Sequence, residues 1–418
     1  MDGSVIRYDK DGNDHRNGVL ILFCYGDASD SYRWISLTKD EQWPKSIGRA
    51  YNMELRIRSD TISLRQGILD KDQAGKLYFT PDKLAADSFL NGVQIRERRE
   101  IRSRDVLSFG DVQVLRLGDF IACGSHEKSN DIFVRGLGYS VKKGGLTGSR
   151  TSFILKDVNA NIMSGELVAI MGASGAGKTT FVDCLIGKNI PQEGSVHRGT
   201  SSMVGRRKTV SFRAGYVPQD SNSTMRAELT VMQSAMYAAK MSLPRDTEKE
   251  EIELKIRRYA KQLGLHESRL DEPIGKLSGG QRTRASILQE LITEPEILFL
   301  DEPTSGQDPA TENEIIATLK KITREHHKTV VVITHTILSI SAFDRIMIFG
   351  AGNLEGQDDL CGKLCYSGPV SGAAEAFNVS SIKSIYSEIS YPNKVDGFAE
   401  AYKRTFMEHG GAENNERE

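Results

Sequence analysis

The segment Gly172-Ala173-Ser174-Gly175-Ala176-Gly177-Lys178-Thr179 carries the densest chemistry in the chain. It fits the pattern G-x-x-x-x-G-K-[ST]. Glycines let a backbone curl until successive N–H groups face one point, and such a nest attracts phosphate oxygens. A helix N-terminus behind the nest favours negative charge further. Gly172, Ser174, Gly175, Ala176, Gly177 and Thr180 form the candidate cradle. Lys178 is placed for the β- and γ-phosphates of a nucleoside triphosphate, and Thr179 for Mg²⁺. Taken alone, the segment also fits a glycine-rich turn.

Complementary residues follow in order. Gly215-Tyr216-Val217-Pro218 leads to Gln219, and Leu277 leads to Ser278-Gly279-Gly280-Gln281 at the start of a helix. The apolar runs Ile297–Leu300 and Val330–Thr334 lead to Asp301-Glu302 and to His335. Asp301, at a strand end, can hold the Mg²⁺ shell beside Thr179, with Gln219 completing the metal or water shell. Glu302 leaves the strand on the opposite face. It is therefore suited to deprotonate an attacking water rather than to bind metal. His335 can contact a γ-phosphate. Ser278, Gly279 and Gly280 make a second anion-binding helix start. Singly, these are a turn pair, an ordinary histidine and a loop; their joint order argues for one hydrolytic site.

Such side chains need rigid elements beneath them. Leu167–Met171 reads as a buried strand and Thr180–Ile186 as the first turns of a helix. From about 131 to 370, strands alternate with amphipathic helices, the pattern of an α/β domain. Glu248 to Leu263 reads as one such helix with a solvated charged face. Residues 18–118 instead show short apolar runs between turn signals, such as Glu54–Ile57, Lys76–Phe79 and Val112–Leu115. That spacing predicts an all-β sandwich or barrel. Residues 1–17 read as a polar tail, 119–130 as a linker, and 371–418 as a C-terminal extension that frays from Gly410.

Composition narrows the class. The 418 residues have room for more than one domain. The net charge of −1 gives no basic signal for nucleic acid. Cys24, Cys123, Cys184, Cys361 and Cys365 are scattered. The last two lack a neighbouring Cys/His pair, so reduced thiols are expected rather than zinc. The polar N-terminus does not read as a secretory signal. No apolar run reaches the ~18–20 residues of a membrane helix.

The ordered motifs resemble those of ABC-type ATPases, across roughly residues 131–370. The resemblance implies a P-loop NTPase fold, ATP and Mg²⁺ as ligands, and two nucleotide-binding domains that sandwich two ATP. Ser278, Gly279, Gly280 and Gln281 then serve the partner's nucleotide. Tyr139 is the candidate adenine-stacking residue, with a core or surface tyrosine as the plain alternative. Gly165–Gly172, Leu229–Val231, Ser278–Arg284, Asp301–Gly306 and Gly362–Pro369 look like the G subfamily, the white/pleiotropic-drug-resistance type. That implies transport driven at the cytosolic face of a membrane, with a membrane domain in cis or in trans. Gln307 departs from the family, which usually carries leucine there. So does Val231-Met232-Gln233-Ser234, where Val-Arg-Glu is usual.

The front region resembles a forkhead-associated domain through Ser46–Arg49, Thr61–Gln66, Phe89–Gly92 and Asp105–Asp111. This implies phosphothreonine-peptide binding, with Arg49 and Ser63 on the phosphate. Gln66 replaces the usual histidine, Leu64 the usual arginine, and Ala85–Ser88 the usual asparagine region. The whole-chain expectation is the ATP-hydrolysing module of a G-type transporter. A soluble ABC ATPase acting as regulator or scaffold is the alternative.

Overall fold

The computed structural model describes residues 5–7, 20–22, 32–36, 43–57, 62–110, 112–118, 120–125, 131–145, 148–198, 201–202, 214–220, 225–326, 328–354 and 359–414. The chain divides into two compact units, Met1–Glu127 with Pro244–Asp246, and Lys128–Leu243 with Thr247–Glu418.

In the first unit β1 (Val5–Arg7) pairs antiparallel with β2 (Leu20–Leu22). Then come β3 (Tyr32–Ser36), β4 (Lys45–Gly48), β5 (Leu55–Arg56), β6 (Gly67–Lys71), β7 (Leu77–Pro81) and β8 (Ser88–Leu90). They are followed by β9 (Val93–Ile95), β10 (Arg99–Ile101), β11 (Val106–Phe109), β12 (Val112–Leu117) and β13 (Phe120–Ser125). These make two sheets, ordered β10-β7-β6-β4-β5 and β3-β13-β12-β11-β8-β9. Side chains on alternate strand positions share a face. Ile47, Leu69, Leu77, Phe79 and Ile101 of the first sheet thus meet Leu107, Phe109, Val112, Val114 and Ile121 of the second in one buried cluster. The Phe79 and Phe109 rings stack across it at 5.9 Å.

The outer boundaries differ from the sequence reading. Phe120–Ser125, expected in the linker, is a strand pairing with β12 and β3. A turn with Gly118 in the left-handed region (φ 54°) folds it back onto β12. Val5–Arg7, expected in the tail, is also paired. The rest of that tail and linker lies outside the described residues.

The second unit opens with β14 (Ile132–Gly145) and β15 (Gly148–Ile162), which pair antiparallel. β16 (Leu167–Gly172), α1 (Lys178–Leu185), β17 (Glu193–Arg198), β18 (Ser201–Ser202), β19 (Ala214–Val217), α2 (Val231–Ser242) and α3 (Lys249–Gln262) follow. Next come α4 (Gly279–Leu291), β20 (Ile297–Asp301), α5 (Pro309–His326), β21 (Thr329–Ile333), β22 (Arg345–Asn353) and β23 (Leu360–Gly368). The chain ends with α6 (Ala373–Ala376), α7 (Ile382–Glu388) and α8 (Pro392–Asn414).

One sheet, ordered β18-β17-β14-β15-β23-β22-β16-β21-β20-β19, spans this unit. The run β22-β16-β21-β20-β19 is parallel. Every residue of β16, β20 and β21 is buried. That is why these strands read as continuous apolar runs rather than alternating ones. Their carboxyl ends lie side by side, the usual place for a ligand crevice in an α/β sheet. α8 packs Val395, fully buried, against Gly350 and Gly352. Asp396 accepts from Asn353 N at 3.1 Å and from Lys363 Nζ at 2.8 Å. The helix continues past Gly410, where fraying was expected, to Asn414. No helix among the described residues is long and apolar enough to cross a membrane.

Candidate functional site

The phosphate cradle leaves β16 through Gly172, whose φ of 141° is open to glycine alone among the common residues. A Cβ there would stand 2.0 Å from the Phe349 carbonyl oxygen. Gly175 (φ 76°) and Gly177 (φ 80°) are left-handed too. Gly177 caps α1 with no side-chain hydrogen bond. The first N–H groups of α1 are thus left for a ligand of the loop. Lys178 is buried and donates Nζ to the carbonyls of Gly172 at 3.0 Å and Ala173 at 2.8 Å. Burial lowers its pKa, against the opposing pull of Glu302 and Asp301. The lysine therefore braces its own loop, a role the motif alone did not suggest.

Thr179 and Asp301 are brought together. The Thr179 hydroxyl donates to Asp301 Oδ2 at 2.9 Å. Asp301 is buried, and burial raises its pKa; the Thr179 hydrogen bond holds that rise back while the Glu302 charge adds to it. Tyr216 adds a hydroxyl 3.4 Å from the same oxygen. Sequence reasoning missed it, because pairing of β19 with β20 is a tertiary fact. Adjacent hydroxyl and carboxylate oxygens, with a carboxylate destabilised by burial, fit a hard cation such as Mg²⁺.

Glu302 leaves β20 at φ 46°, a left-handed conformation costly for a glutamate. Its N–H donates to Ile333 O at 3.0 Å, which ties the turn to β21. Its carboxylate is held at both oxygens: Gln219 Nε2 donates to Oε2 at 2.9 Å, and His335 Nε2 lies 2.8 Å from Oε1. Gln219 is thus joined directly to Glu302.

Ser278 caps α4, accepting from Gln281 N at 3.3 Å, while Gln281 Oε1 accepts from Ser278 N at 3.1 Å. This capping box fixes Gly279 and Gly280 as an open helix start. The Ser278 oxygen accepts, so its proton remains available to donate. Among the described residues no hydrogen bond joins this turn to the loop at Gly172–Thr180. Tyr139 lies on β14 opposite Leu155, whose side chain abuts Gly177. It is half-buried against the cluster that holds Leu155 and Ala176.

Arg49 and Ser63 are also neighbours, with Arg49 N donating to Ser63 O at 3.1 Å. Ser63, however, is fully buried, and its Oγ accepts from Ala86 N at 2.7 Å. Gln66 completes the knot through Ser63 N, Ala86 O and Ser88 Oγ. The hydroxyl expected on a phosphothreonine is turned into the fold, and that partner gains no support.

Residues 155–305 match the family model described as ABC transporter. Over 285 residues the chain is 31% identical to the "ABC transporter ATP-binding/permease protein Rv1747" of Mycobacterium tuberculosis, covering 68% of this chain and 32% of that one. It is 35% identical over 222 residues to the "ABC transporter G family member STR" of Petunia hybrida, covering 51% and 26%. It is 32% identical over 233 residues to the "Energy-coupling factor transporter ATP-binding protein EcfA2" of Acetivibrio thermocellus, covering 55% of this chain and 79% of that protein. The chain thus spans 32% and 26% of the length of the first two relatives.

Proposed function

The chain belongs to the ABC transporter ATP-binding family, and from that premise we propose that it is the ATP-hydrolysing module of a G-type transporter. Two copies, or this chain and a similar one, close around two ATP. The module works at the cytosolic face of a membrane and drives a membrane domain in cis or in trans. The observation that carries this reading is Glu302, held by Gln219 and His335 at the strand edge that also bears the Gly172–Thr180 loop and the Thr179–Asp301 pair.

ATP enters with its phosphates on the N–H groups of Gly175 to Thr180, and Lys178 exchanges its loop carbonyls for phosphate oxygens. Thr179 and Asp301 would hold Mg²⁺, which supplies charge neutralisation to the phosphates when bound. Tyr139 is the proposed adenine contact. Glu302 accepts the proton of the attacking water, and His335 and Gln219 fix the carboxylate in place for that transfer. Ser278, Gly279, Gly280 and Gln281 of the second copy donate to the far side of the γ-phosphate. Dissociation of the two copies after hydrolysis supplies the motion.

Glu302→Gln keeps the size of the side chain and removes the base. We expect turnover to fall by roughly 10²–10⁴-fold. ATP should still drive self-association, read by light scattering after size exclusion. Turnover near that of the parent would sink the base assignment.

A further inference from the structure

We propose that Gln307 is a positioning residue that locks the loop behind Glu302 to the start of α4, so that each follows the other within one chain. Its amide nitrogen donates to Pro303 O at 3.1 Å and to Thr283 Oγ1 at 3.1 Å. Thr283, buried in α4, passes its own proton to Gly279 O at 3.2 Å. A carbonyl can only accept, so Pro303 fixes which end of the amide is nitrogen. The relay therefore runs from Pro303, next to Glu302, through Gln307 and Thr283 to Gly279. The amide oxygen is buried without a partner among the described residues, and a Cβ on Gly280 would stand 3.3 Å from it. Leaving a buried acceptor unpaired is costly, which marks the two donated bonds as what holds the side chain here. Asp308 fixes the far end of the loop as a cap, accepting from Ala310 N and Thr311 N at 3.0 Å. Leucine at this position can make neither bond.

The consequence for turnover rests on the two-copy site proposed above, because α4 serves the other copy's nucleotide. The test does not. Hydrogen exchange at the amides of Gly280–Thr283 is followed in the full chain carrying Glu302→Gln, at a concentration where it is monomeric, with and without ATP and Mg²⁺. ATP at the chain's own loop should change exchange there by about fivefold or more, the equivalent of one net hydrogen bond. Adding Gln307→Leu, or Gln307→Glu, which matches the size but cannot donate to Pro303, should abolish that response while ATP affinity is kept. Thr283→Val cuts the relay at its other end and should do the same, which covers the case where a Gln307 variant does not fold. An unchanged response in these variants, or none in the parent, overturns the proposal. Failure of the Glu302→Gln chain to self-associate at any concentration counts against the two-copy reading alone.

Discussion

Lys178 and Glu302 are both engaged by protein groups. The lysine holds two carbonyls of its own loop, and the glutamate holds an amide and an imidazole. A buried cation has already lost its water, so meeting phosphate exchanges two carbonyl contacts for charge-assisted ones. Lys178→Ala removes a charge-assisted contact and should weaken ATP binding about 10- to 100-fold, measured by titration calorimetry. The β16 strand is held by its own ladder, so the melting temperature should move little. A loss of fold in this variant would show that bracing the loop, rather than meeting phosphate, is the larger role.

At the scale of elements, helices α3 and α4 and strand β21 meet at a buried ionic knot. Glu294, left-handed at φ 53°, accepts from Lys328 Nζ at 2.9 Å, pairs with Lys255 at 2.7 Å and accepts from Tyr259 Oη at 2.8 Å. Burial alone would raise its pKa, but the two lysines outweigh burial and hold it down to about 2. A carboxylate depressed in the fold contributes stability above its unfolded pKa and loses it as pH falls toward the folded value. Denaturant melts of the parent should therefore show an acid limb between about pH 4.5 and 2. Glu294→Gln should flatten that limb and lower stability at pH 7, because it removes the carboxylate that two buried lysines face. An unchanged limb would assign it to other carboxylates. None of this was legible in the sequence, where Glu294 follows a helix as an ordinary charged residue.

For the molecule as a whole, the chain carries separate cores, one in the first unit and two on either side of the large sheet in the second. α8 seals the second unit from its C-terminal end. Val395→Ala should cost about 2 kcal/mol, read as a drop in unfolding free energy. A neutral result would mean that α8 docks through Asp396 and Tyr402 instead. The sequence marks 371–418 only as an extension, because the docking of α8 on β22 and β23 joins segments whose adjacency no local pattern reports. The hydrolytic motifs were legible because phosphate binding and water activation demand fixed residue types at short spacing: glycines with a lysine and a threonine, then paired carboxylates at the end of an apolar strand. The all-β character of the front region was legible from its turn spacing, while its division into two sheets was not. What the tertiary structure decided is who touches whom across the sheet. Strand pairing sets Tyr216 beside Asp301, and the packing of loops and helices groups Gln219 and His335 with Glu302, turns Ser63 inward and binds Gln307 to Thr283. Spacing along a chain reports local geometry, while adjacency of parallel strands depends on crossovers whose pairing partners lie far apart in sequence.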